Sequence, residues 1–147
     1  MGTNGNASCG LILRTYSELR RLHSFEDRFA YLQLGGSVGA STFGFDRHLN
    51  QSFYQSHEWK TVRQHVIVRD NGCDLGVYGY DIHAEILIHH INPMVPDDII
   101  HGEAWIVDPE FLITTTKQTH NAIHYGDTNL LIPRVVVERL PGDTKLW

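Results

Sequence analysis

Residues 86–93 read Ile-Leu-Ile-His-His-Ile-Asn-Pro, and residues 112–126 read Leu-Ile-Thr-Thr-Thr-Lys-Gln-Thr-His-Asn-Ala-Ile-His-Tyr-Gly. The first run is apolar, β-rich and closed by Asn92-Pro93, which predicts a strand within Asp81–Ile91. The second predicts a short strand over Phe111–Thr115 and then a helix over Lys117–Tyr125, opened by Thr116 as N-cap and stopped by Gly126. Between them lies an acidic stretch, Met94–Glu110, holding Pro96 and Pro109, which reads as a long loop. The unit is therefore strand, loop, strand, helix, with histidines at both ends. His120 and His124 are four apart, so on a helix they share one face, a spacing that suits two imidazoles meeting one divalent cation. His89 and His90 are strand neighbours and point to opposite faces, so a regular strand aims only one of them at the helix.

Working outward, Asn50–Arg69 reads as one helix with Phe53, Trp59, Val62, Val66 and Ile67 inward and Lys60, Arg63, Gln64 and Arg69 in water. Asp70-Asn71-Gly72 ends it with turn chemistry. Tyr16–Leu34 has near-helical apolar spacing and reads as two short helices with a break near His23–Ser24, Ser24 being the second N-cap. Gly35–Gly39 reads as a loop, Arg134–Arg139 as a last strand, and residues 1–15 as a poorly ordered N-terminal segment. Helices preceding a small strand-and-helix unit make this an α+β chain, with one domain over residues 16–147.

With 147 residues, 41% of them hydrophobic and 20% charged, the chain can bury a core without disulfide staples. Cys9 and Cys73 form neither a disulfide framework nor a CxxC metal site. The N-terminus lacks the pattern of a signal peptide and no apolar run is long enough to cross a bilayer, so a cytoplasmic protein with no membrane partner is expected. Net charge is −5, against which phosphate binding needs Lys and Arg. The acid is concentrated: residues 73–113 carry eight acidic and no basic side chains, whereas residues 1–72 carry eight basic and six acidic. Charge thus neither supports nor excludes a nucleic-acid partner. Of ten histidines, His23, His48, His57, His65, His83 and His101 read as ordinary surface or hydrogen-bonded residues.

The run Trp59-Lys60, Arg63, Val68 to Cys73, then Ile88-His89-His90-Ile91-Asn92-Pro93, then Leu112-Ile113-Thr114 and Thr119-His120-Asn121-Ala122-Ile123-His124 resembles the HNH endonucleases. The likeness is greatest to the small phage-encoded members, and the double-His and His-x-x-x-His arrangement is similar to that of the colicin-type nucleases. The resemblance implies a ββα-metal core over about residues 81–126 with the N-terminal helices packed against it. It implies hydrolysis of DNA phosphodiester bonds, with phage terminase or packaging proteins as further partners. His90 stands at the position of the general base, and His89, His120 and His124 at metal-ligand positions. One divalent ion is implied, the family drawing on Mg²⁺, Mn²⁺, Ni²⁺ or Zn²⁺. Arg63 and Arg69 are candidate phosphate contacts.

Two positions depart from the family pattern. Phe111 occupies the place of the Asn that steadies the loop behind the base, and Asn92 is the best candidate to orient the base instead, with Asp108 the alternative; Phe111 itself is expected in the core. The four structural-zinc positions of ribbon-bearing relatives read Cys73, Gly76, Thr116 and Thr119, so no structural zinc is expected and packing by the N-terminal helices must hold the scaffold. Two other readings stay open: an inactive DNA-binding or packaging accessory stabilised by metal on the same histidines, and a phage morphogenesis module that takes up no metal.

Overall fold

The computed structural model describes residues 13–34, 47–77 and 80–131. The expected loop at Gly35–Gly39, the expected strand Arg134–Arg139 and the first twelve residues lie outside them. The remainder is α+β. Helix α1 (Tyr16–Leu19) is capped by Thr15 and α2 (Phe25–Leu32) by Ser24, whose hydroxyl accepts from Asp27 N–H. The single helix expected over Asn50–Arg69 is two, α3 (Arg47–Gln55) and α4 (His57–Arg69). Ser56 breaks it: its backbone is extended and its hydroxyl accepts from Trp59 N–H, the geometry of an N-cap. Helix α4 ends in a turn whose Asn71 and Gly72 both take positive φ, 57° and 65°.

Two antiparallel ribbons follow. Strands β1 (Cys73–Asp74) and β2 (Tyr80–Asp81) pair with each other, and β3 (Leu87–His90) pairs with β4 (Leu112–Thr115). The expected strand over Asp81–Ile91 is thus shorter and belongs to two ribbons. The acidic stretch is not a structureless loop. It holds helix α5 (Pro96–Ile100) and the 3₁₀ turns Ala104–Val107 and Pro109–Phe111. Pro96 at the first turn costs no hydrogen bond, and the Asp98 carboxylate accepts from Val95 N–H at 2.8 Å, so the acids serve the helix start. Helix α6 (Lys117–Tyr125) has the expected limits, with Thr116 accepting from Thr119 N–H and Gly126 left-handed at φ 64°.

The β3–β4 ribbon divides two apolar clusters. In register, His89 pairs with Ile113 and His90 with Leu112. Leu112 joins Phe53, Trp59, Val62, Val66, Met94 and Ile106 on one face, while Ile113 joins Leu19, Leu32, Leu34, Ile91 and Ile123 on the other. Helices α1 and α2 therefore pack on the face that carries α6, and α3 and α4 on the other. Packing is not the whole of the scaffold. The Asp74 carboxylate is 1% exposed and receives five donors: Gly76 N–H and Val77 N–H on Oδ1, and Thr116 N–H, Thr116 Oγ1 and Thr119 Oγ1 on Oδ2. Three of the four positions read as replacements for zinc ligands surround this one carboxylate.

Candidate metal centre

Strand alternation sends the two neighbouring histidines apart. His89 turns to α6, where its ring meets His120 at 5.2 Å and His124 at 5.1 Å between centroids, near-perpendicular to both. His120 and His124 lie one turn apart, with their Nε2 atoms 3.1 Å from each other. One ring nitrogen from each of His89, His120 and His124 falls in a set whose members are all within 4.8 Å of one another. Around one ion at about 2.0–2.1 Å, tetrahedral nitrogens stand about 3.4 Å apart, so binding would draw the most distant pair in by up to about 1.4 Å.

The chemistry of the set fits a cation. His89 is 1% exposed, yet neither of its ring nitrogens has a hydrogen-bond partner among the described residues, and Nδ1 of His124 is likewise unpartnered. Buried polar atoms are seldom left so, and a bound ion is one of the few physical explanations. Burial pushes the His89 pKa well below its ordinary value, with the neighbouring His120, His124 and His90 adding to the effect. Burial, then His124, takes His120 down to about 4, and burial lowers His124 as well. The three imidazoles are thus neutral at pH 7, the form that ligates metal. Three nitrogen donors favour a first-row transition metal over Mg²⁺, which prefers oxygen. His89, His120 and His124 can therefore hold a metal ion.

His90 faces the other way. Its ring stacks on Trp59 with centroids 5.3 Å apart and planes at 16°, and Phe53 and Trp105 flank it. Nε2 lies 2.9 Å from Ile106 O, and since a carbonyl only accepts, that nitrogen carries the proton. Nδ1 is then the basic nitrogen. Burial takes His90 down to about 4, although the Ile106 bond and Asp98 pull the other way. All four histidines line one pocket of about 110 Å³, together with Asn50, Tyr54 and Asn92. A larger open depression of about 430 Å³ near Arg14, Gln33 and Tyr125 is lined, among the described residues, by no histidine, cysteine or acid.

The remaining sequence candidates are placed otherwise. Asn92 is buried, but its amide clasps the backbone of Arg14, accepting from Arg14 N–H at 2.8 Å and donating to Arg14 O at 2.9 Å, and no bond joins it to His90. Arg69 bonds Asp70, Pro109 O and Leu112 O and lies 3.6 Å over the Tyr16 ring, so its guanidinium is committed within the protein. Arg63 donates to Ile86 O. Phe111 is half-buried in a 3₁₀ turn against Trp105 rather than set in the core, and the loop is joined to the strand through its backbone carbonyl, which accepts from Ile91 N–H. His23, His48, His57, His65, His83 and His101 are all exposed. The Ile106 carbonyl, Asn50 and Tyr54 carry no sequence signal of their own; only the break at Ser56 would have turned Asn50 and Tyr54 toward the site.

Among the described residues no helix is long and apolar enough to cross a membrane. Comparison with protein-family models, curated proteins and solved structures finds no match for this chain.

Proposed function

We propose that the chain is a metal-dependent endonuclease of the HNH type, hydrolysing DNA phosphodiester bonds on a ββα-metal core made by β3, β4 and α6. Phage origin and a link to genome packaging go with that reading through the resemblance. The observation that carries it is the pairing of two functions across one ribbon. A neutral three-histidine set stands on one face, and a fourth histidine, whose Nε2 is taken up by Ile106 O, lines the same pocket.

On this reading His89, His120 and His124 hold one divalent ion. Bound there, the ion supplies positive charge to the scissile phosphate and the departing 3′ oxygen. His90 does the proton work. Ile106 O fixes its tautomer and Trp59 fixes its plane, so that Nδ1 accepts a proton from the attacking water. Its low pKa keeps it unprotonated at neutral pH. Asn50, Tyr54 and Asn92 line the same pocket.

Nicking of supercoiled plasmid across a series of divalent ions, with and without chelator, tests the proposal. His90→Ala is expected to lose about 10²–10⁴-fold in rate while binding the ion as wild type does. Equal cutting by the variant removes His90 from the chemistry. A second reading, a metal-stabilised accessory without activity, is favoured by one observation: among the described residues, no Lys or Arg lines the pocket. It is the outcome if metal raises the melting temperature and no ion supports cleavage.

A further inference from the structure

Two of the metal-site histidines, His89 and His124, lack the usual means of being aimed. A ligating imidazole ordinarily donates its second nitrogen to a carboxylate or carbonyl, which sets the ring from behind. Here Nδ1 of His124 and both nitrogens of His89 have no such partner among the described residues. For His124 orientation must then come from where the backbone of α6 is put, and the same helix carries His120. An imidazole nitrogen stands about 6 Å from its helix axis, so a roll of about 20° displaces it by about 2 Å. Metal–ligand distances tolerate only about 0.2 Å. Something has to hold α6 against rolling.

The geometry points to Asp74 as that element, a positioning residue for the candidate metal centre. Its Oδ2 takes Thr116 N–H at 3.1 Å and the hydroxyls of Thr116 and Thr119 at 3.0 and 2.6 Å. Thr116 is the N-cap of α6 and Thr119 immediately precedes His120. The carboxylate therefore grips the helix at two points in its first turn, which fixes rotation about the axis as well as position. Its other oxygen is held by Gly76 N–H at 2.9 Å and Val77 N–H at 3.4 Å, and Leu75 N–H bonds Thr114 O, so the grip is tied to β4. The fit is close: a Cβ on Gly76 would come within 2.3 Å of Thr119 Cγ2. Asp74 touches none of the three histidines and acts through α6.

This inference rests on the metal reading, and the test separates the two. Co²⁺ alone is titrated by calorimetry and followed by its visible absorption, in wild type, Asp74→Asn, Thr119→Val and Thr119→Ser. Asp74→Asn turns an NH₂ toward N–H or hydroxyl donors, and Thr119→Val removes the 2.6 Å bond while keeping side-chain shape. Either is expected to weaken Co²⁺ by about 10–100-fold and to alter the absorption band. Thr119→Ser is expected to restore both. Thr119→Val, the milder change, carries the test if Asp74→Asn does not fold. Phe29→Ala, a core variant on α2, controls for stability alone and is expected to bind Co²⁺ as wild type does. Wild-type affinity in Asp74→Asn or Thr119→Val overturns the inference, as does an equal loss in Phe29→Ala at matched melting temperature. If wild type itself fails to bind Co²⁺, the metal reading falls and this inference with it.

Discussion

Asn92 ties together residues 78 positions apart, since both ends of its amide are bonded to the backbone of Arg14. A buried Asn that satisfies a donor and an acceptor leaves both stranded when it is cut back. Asn92→Ala is therefore expected to destabilise by about 1–3 kcal/mol, read by urea unfolding. Any change in nicking should follow from that loss of stability; a rate loss at full stability would return Asn92 to the chemistry. The four metal and base candidates were readable as types and spacing because His-His and His-x-x-x-His are local patterns. What those patterns omit is what faces them. The partner of His90 Nε2 is a backbone carbonyl in a 3₁₀ turn, and a carbonyl has no residue type to betray it. Arg69 misleads for the opposite reason: a charged residue late in a helix reads as solvated, whereas here it binds the carbonyls of Pro109 and of Leu112 at the start of β4.

Among the elements, α6 matches its expected limits because its signals are chemical at both ends. Thr116 caps the start, and Gly126 takes the left-handed conformation that closes the helix. Gly126→Ala puts a Cβ at φ 64° and 3.1 Å from Leu34 O. It is expected to cost about 1–2 kcal/mol and to raise amide exchange in the last turn, around His124. Unchanged exchange would mean that the helix end is held by Ile123 alone. The β1–β2 ribbon was not legible, since strands of two residues carry no period. Helix α5 was hidden because Pro and Asp, usual loop residues, are also good helix starters, and only the tertiary context selects one use. Ser56 shows the same ambiguity. A serine within a helical pattern is tolerated or caps a new helix, and packing of α3 against α4 decides for the cap.

At the scale of the molecule, the fold stores uncharged imidazoles inside a chain whose unfolded form would protonate them. The unfolded His90 titrates near 6.5, and the folded one near 4. Between those values the unfolded state binds more protons, so stability rises with pH and is lost as pH falls through the window from about 6.5 to 4. The gap amounts to about 3 kcal/mol for His90, and His89, His120 and His124 shift in the same direction. Urea unfolding of chelator-treated protein is expected to show this loss between pH 7 and pH 5. A flat profile would mean that the histidines are solvated.

The stack of Trp59 on His90 makes the protein its own optical reporter. An imidazolium quenches the emission of an indole lying against it, whereas a neutral imidazole does so far less. Trp59 emission should therefore hold steady on acidification past the range where free histidine titrates, then fall near pH 4 as His90 takes its proton. Comparison with Trp59→Phe removes the signals of Trp105 and Trp147. The difference spectrum then reads the charge on a single buried ring, and a quench already complete at pH 6 would place His90 in water.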